Sequence, residues 1–390
     1  MSKKRFFIIA GTALAVLLAL ILWYTISNIG LKTVDNEYLH TLPGSWDATK
    51  DFSEGLAAVK VEGKWGYINT EGTMVIEAIY DGANRFSEGL AAVSKNGRWG
   101  YIDKNGETVI AFQYESTYAF SEGLAVYSEG LYYGYIDKTG NKVTPAIYSE
   151  ASSFSGGVAC VKKDSSYGFL NQAGAAITEF SYGISAKASE GLIAVFSDAG
   201  LESLKTGYID TDGRVVLEPT WYDARSFSQG LAAVQAEAFT SPWNYIDKTG
   251  TVVIKGEWDE AEGFSQDRAV VHDKTGYYFI DLTGAKASNA YAKAFSFTAG
   301  GLARVAVANT VGWSFGFINS AGEEVIALKY SNARDYHNGA AAVAQNGDWA
   351  FVSADGTEMC DFLWDDAGDF TEDGIARVRN GEYYGFVKLK

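Results

Sequence analysis

Three kinds of side chain in this 390-residue chain recur at spacings that could do chemistry. A serine stands in F-S-E-G-L-A-A-V at Phe52 and Phe86, with close copies further along. As a nucleophile it needs a base, and the chain holds three scattered histidines, His40, His272 and His337. No copy then carries a Ser-His-Asp set, and Ser-Glu-Gly before a strand reads as a turn. A carboxylate recurs in D-x-x-G, as in Asp103-Lys104-Asn105-Gly106. Calcium takes about six to eight oxygens. Each such turn offers one carboxylate, and Asn69, Asn171 and Asn319 replace the aspartate, so these also read as turns. An aromatic ring opens W-G-Y-I-D and its variants at Trp65, Trp99, Tyr133, Tyr167, Trp243, Phe315, Trp349 and Tyr384. Such rings can stack on sugars or cage an amine. Because they recur in nine of the ten copies, they are expected instead as the buried core through which one copy contacts the next. Cys160 and Cys360 fall on apolar positions and are expected as buried thiols, not a disulfide. Among 48 acidic residues no pair stands apart from the repeat, so a carboxylate pair for glycoside hydrolysis is neither located nor excluded. No catalytic residue, metal ligand or cofactor is assigned.

The elements that must carry these side chains come in ten copies. The F-S-E-G-type element starts at Phe52, Phe86, Phe120, Phe154, Ala188, Phe227, Phe264, Phe297, Tyr336 and Phe370, mostly 34 residues apart. Its L-A-A-V run, the W-G-Y-I run and a following V-I run are each of strand length. Glu62-Gly63-Lys64 and Asn96-Gly97-Arg98 are hairpin signals. The D-x-x-G step suits a turn closed by a left-handed glycine, and an aromatic-acidic corner such as Tyr80-Asp81 or Trp221-Tyr222-Asp223 ends each unit. The expectation is all-β: ten three-stranded antiparallel repeats of about 34 residues, sharing a core by stacking. An open solenoid or superhelix is favoured. A closed, propeller-like ring is the alternative, although 34 residues is short for a blade of about 40 to 50.

Four elements recurring in order make the chain resemble the bacterial WG (KWG) repeat family: G-L-A-x-V, W-G-Y-I-D, G-x-x-V-I and Y-D-x-A-x-x-F. Units seven and nine depart most, with Tyr277-Tyr278 and Trp349-Ala350 in place of Trp-Gly. The resemblance implies a repetitive β array and little about activity.

Length variation is confined almost wholly to the gap between the L-A-A-V and W-G-Y-I strands. It is 5 residues in seven units, but 10 in unit five, 8 in unit six and 9 in unit eight. Insertions gathered on one edge of an array mark a binding surface, which makes Asp198, Glu202, Phe239 and Trp313 the candidate ligand contacts.

Ahead of the array, residues 6–26 carry no charge and follow Lys3-Lys4-Arg5. Twenty-one residues span about 31 Å as a helix, enough to cross a ~30 Å hydrocarbon core. The run ends in Leu22-Trp23-Tyr24, suited to the interface. An uncleaved anchor is expected, with residues 1–5 cytoplasmic by the positive-inside rule, 27–45 a stalk, and the array at 46–390 outside. The chain carries −16 overall, so nucleic acid is excluded as a partner. The sequence therefore reads as a membrane-tethered, extracytoplasmic, non-catalytic binding or scaffold module for a protein or a cell-envelope glycan. An envelope-acting hydrolase is the alternative.

Overall fold

A computed structural model describes residues 30–185, 187–197 and 205–390. Every regular element among them is a β-strand. The basic tip and the expected anchor lie outside the described residues, within which no helix is long and apolar enough to cross a membrane.

The first unit shows the plan. Ala48–Thr49, Leu56–Val61, Lys64–Asn69 and Met74–Tyr80 form one antiparallel sheet in that order. It has four strands, not the three expected. The extra one comes from the aromatic-acidic corner and is two residues long, held by the pairs Ala48↔Lys60 and Thr49↔Val59. So short a strand leaves no periodicity to read.

The second strand is enclosed on both faces, which explains its run of small apolar residues. Leu56 and Ala58 face the second unit, while Ala57 and Val59 face the other way. Ahead of it, Ser53 and Leu56 exchange backbone hydrogen bonds across Glu54 and Gly55, both at positive φ (56° and 84°). This is a two-residue turn of the kind whose twist matches antiparallel strands.

The glycine after the ring has a steric cause. A Cβ on Gly66 would lie 2.5 Å from the Ile76 carbonyl oxygen, because the fourth strand bulges there. Trp65 pairs with Tyr80 but Tyr67 with Ile76. Where the sequence puts Tyr278 or Ala350 in this place, the fourth strand is reduced to isolated bridges, Tyr277↔Tyr291 and Ile280↔Lys286, or Trp349↔Trp364 and Val352↔Glu358. Unit six has Asn244 instead, and there the facing strand supplies Gly256, whose N–H donates to Asn244 Oδ1 at 3.2 Å.

Ten apolar clusters lie among the described residues, each drawn from two units. Nine join consecutive units. The tenth sets Ile375 and Phe386 of the last unit against Phe52, Ala57 and Val59 of the first. Among the described residues the last unit has no outer strand after Tyr383–Leu389. Leu39–Thr41 takes that place, in register Leu39↔Leu389 to Thr41↔Val387. Leu42 N–H then donates to the Phe386 carbonyl at 2.9 Å, and Trp46 bridges to Tyr384, as Tyr80 pairs with Trp65 in the first unit. From residue 31 the expected stalk is thus part of the array. Leu31 and Val34 pack on the last interface, and Trp364 Nε1 donates to the Lys32 carbonyl at 2.9 Å. The first and last units thus touch.

Candidate functional site

The recurring side chains hold units together. Ser53 Oγ donates to the Phe86 carbonyl of the next unit at 2.8 Å. The same bond recurs from Ser87, Ser121, Ser189, Ser228 and Ser265, with Thr298 and Asn338 substituting in units eight and nine. The neighbouring glutamates follow suit. Glu54 accepts from Gly89 N–H and pairs with Lys104 at 3.1 Å, and Glu88 does so with Gly123 and Lys138. At the seam between the last and first units, Asp373 accepts from Gly55 N–H at 3.2 Å. The D-x-x-G carboxylates cap their own turns: Asp103 Oδ1 accepts from the N–H groups of Asn105 and Glu107. In Asp137 the Thr139 hydroxyl, with backbone N–H groups behind it, holds the pKa below the usual carboxylate value.

The ring of the W-G step has a shallower place than expected. Trp243 and Phe315 are buried, whereas Trp65, Trp99, Tyr133, Tyr167, Trp349 and Tyr384 are half-buried at the edge of the core. The fully enclosed aromatic is the one two residues on, such as Tyr67 or Tyr101. Several of these rings, Trp243 among them, are already covered by the protein's own cations. Arg225 lies 5.3 Å from the Trp243 centroid, Arg334 5.3 Å from Trp349 and Lys162 4.9 Å from Tyr167. An amine cage at those positions is therefore filled from within.

Of the four candidate contacts, Asp198 and Glu202 lie outside the described residues. Phe239 is 79% exposed on the unit-six loop, which is fixed by Gln235 Nε2 donating to the carbonyls of Phe239 and Ser241. Trp313 is on the unit-eight hairpin, whose strands Leu302–Asn309 and Gly312–Asn319 run longer than their equivalents. Sequence reasoning passed over Leu131 and Tyr132, both exposed on the hairpin tip of unit three. Their signal is two apolar residues in a tip that reads Glu62-Gly63-Lys64 in unit one and Asn96-Gly97-Arg98 in unit two.

A pocket of about 520 Å³ opens between units seven and eight, lined by Glu260, Glu262, Tyr277, Lys293, Phe295 and Ser296 among others. It lies at a unit whose fourth strand is broken, and Lys293 leads from it to the long hairpin, its Nζ 4.3 Å from the Trp313 ring centre. Tyr277 Oη donates to Glu260 at 3.0 Å, and His272 packs on the Tyr277 ring at 4.4 Å. Burial, then the Glu260 contact, raises the Tyr277 phenol above its ordinary pKa. Glu262 pairs with Arg225 at 3.5 Å.

A second concavity, lined by Arg304, Arg334, Asp335 and Asp369 among others, is paired internally. Arg304 bonds Asp335 and Arg334 bonds Asp366, both at 2.9 Å. Asp369 is exposed as a residue, yet partial burial of its carboxyl raises its pKa against the pull of His337 and Arg334. Among the described residues no group of three or more His, Cys, Asp or Glu is placed to share a metal ion. Cys160 and Cys360 are in no disulfide, and burial pushes the Cys360 thiol up to about 11.

Comparison with protein families matches the WG containing repeat at residues 42–65, 65–99, 99–130, 133–167, 207–237, 243–272, 315–349 and 349–384. Among solved structures the chain is similar to one described as a eukaryotic initiation factor, at 11% identity over 84% of this chain and 97% of that one, with a TM-score of 0.54. That is a likeness of fold alone. Two others are Hsv2 of Kluyvelomyces marxianus (10% identity, 70% of this chain and 97% of that one, TM-score 0.32) and the WD40 β-propeller domain of Doa1 (14%, 63% and 92%, 0.27). Comparison with curated proteins gives no match.

Proposed function

The chain belongs to the family of WG-containing repeat proteins, and we propose that it is a closed ring of ten units, tethered to the membrane and facing outward, that binds a protein or a cell-envelope glycan without catalysis. One observation carries the binding reading. The recurring serines and turn carboxylates are spent on joining or capping units, whereas a solvent-facing concavity stands where the repeat breaks, between units seven and eight. Closure is supported by ten clusters for ten units, one more interface than an open row contains, and by the N-terminal strand completing the last sheet. The tether is supported by the uncharged run behind Lys3-Lys4-Arg5. That run ends at residue 26, and Leu31 already packs on the array. Five residues reach at most about 18 Å, so the ring sits close against the bilayer, on the side of its last unit.

The test uses the full chain in detergent: recovery of a partner from solubilised membranes, beside co-sedimentation with purified peptidoglycan. Retention by one of them is expected; retention by neither counts against the binding reading. The hydrolase alternative keeps one observation, that Glu260 and Glu262 line the same pocket. Release of soluble sugar from peptidoglycan, lost in Glu262→Gln, would favour it.

A further inference from the structure

We propose that the pocket between units seven and eight takes a short segment of neutral oligosaccharide, its apolar face on Phe295 and Tyr277 and its hydroxyls on Glu262, Lys293 and Ser296. This rests on the binding reading above and gives that reading a ligand class and a place.

Two departures from the repeat meet at this point. Unit seven has Tyr277-Tyr278 where Trp-Gly is the rule, and its fourth strand survives only as two bridges. Unit eight has the lengthened hairpin, and Trp313 on it is reached from the pocket through Lys293. Small-ligand pockets span about 300–1,000 Å³, and this one, at about 520 Å³, lies within that range.

The lining sets the chemistry. Two carboxylates disfavour an anion. A compact cation would have to compete with Lys293 in the pocket and with Arg225, which already holds Glu262. A neutral polyol avoids both conflicts. Its hydroxyls donate to carboxylate oxygens and accept from an ammonium or a serine hydroxyl, while its C–H face lies on aromatic rings. Those rings are held in advance: Arg304 lies 3.8 Å from the Phe295 centre, and Tyr277 is fixed by Glu260 and His272.

The test is calorimetric titration of the full-length protein in detergent with chitotetraose and cellotetraose, with spermidine and inorganic phosphate as counter-probes. Binding of at least one sugar is expected. It should weaken by about tenfold or more in Ser296→Trp, which fills the pocket from an exposed position, and measurably in Glu262→Gln. Each variant is compared with the parent by circular dichroism and thermal midpoint. Binding of neither sugar, equal sugar binding in Ser296→Trp, or binding of a counter-probe alone would overturn the proposal. If Ser296→Trp loses sugar while the full chain still co-sediments with peptidoglycan, the pocket stands and a second surface makes that contact. If sugar binding is absent but co-sedimentation persists, the pocket falls and the binding reading survives.

Discussion

Five tyrosines, Tyr67, Tyr101, Tyr135, Tyr208 and Tyr245, each reach from the core of one unit to a backbone carbonyl seventeen residues on, at 2.6 to 2.8 Å. The other five units have phenylalanine there, Phe169, Phe279, Phe317, Phe351 and Phe386, so the ring is required and the hydroxyl is an addition. Tyr101→Phe should lower stability by about 1 kcal/mol and Tyr101→Ala by about 3–5 kcal/mol. Trp99→Ala, at a half-buried ring, should cost less than Tyr101→Ala, as read from urea midpoints. Burial raises the Tyr101 phenol above its ordinary 10.0, as it does for the other four. The folded state therefore holds these protons more tightly than the unfolded chain. Their stabilisation is whole below pH about 10 and is lost as the pH rises beyond it. In an alkaline titration, phenolate absorbance of these residues should appear together with loss of the fold. Recurrence in the sequence marked the first aromatic of the step as the core ring, whereas the second lies deeper. That depends on strand register, since Gly66 and its counterparts bring the bulged strand over the position after the tryptophan.

The outer strand is the element most exposed to a single change. A Cβ on Gly100 would stand 2.5 Å from the Ile110 carbonyl oxygen. Units seven and nine, with a side chain there, keep only bridges, as does unit four around Gly168, whereas unit six with Asn244 keeps its strand. Gly100→Ala should destabilise by about 1–3 kcal/mol and remove hydrogen-exchange protection from Thr108–Tyr114, leaving Ala91–Lys95 protected. Unchanged protection would mean that the bulge absorbs a methyl group. Shortening the unit-eight hairpin to the common length should leave the thermal midpoint nearly unchanged, because its tip is exposed and loops tolerate length change. The ten-fold period, the strands of four to six residues and the turn chemistry were legible because each has a local signature. The two-residue first strand was not, because Ala48–Thr49 is ordered by its neighbour and not by its own pattern. Nor was the pocket: Glu260, Tyr277 and Phe295 come from separate elements and meet only through packing.

At the scale of the molecule, the contact of the N-terminal strand with the last unit is what the sequence hid best. Leu42, Trp46 and Asp47 are all that the N-terminal strand retains of the repeat pattern, too little to identify an outer strand missing from a unit more than 300 residues away. Leu39→Cys with Leu389→Cys, in a background of Cys160→Ala and Cys360→Ala, puts thiols on directly paired residues at the spacing a disulfide needs. Oxidation should form the bond and raise stability by about 4–5 kcal/mol. Failure to form it in the folded protein would argue for an open array. The same seam bears on assembly. Leu39 and Leu389 stand 350 residues apart in the chain, and contacts of such long sequence separation form slowly. Until then Tyr383–Leu389 presents a bare edge and Leu39–Thr41 is a loose strand that fits it, in every copy alike. A strand that finds a neighbour's edge before its own gives an exchanged pair, the last sheet of each copy completed by the other's N-terminal strand. Refolding at rising protein concentration should therefore shift the product from monomer to dimer, and the cysteine-linked form, sealed beforehand, should stay monomeric.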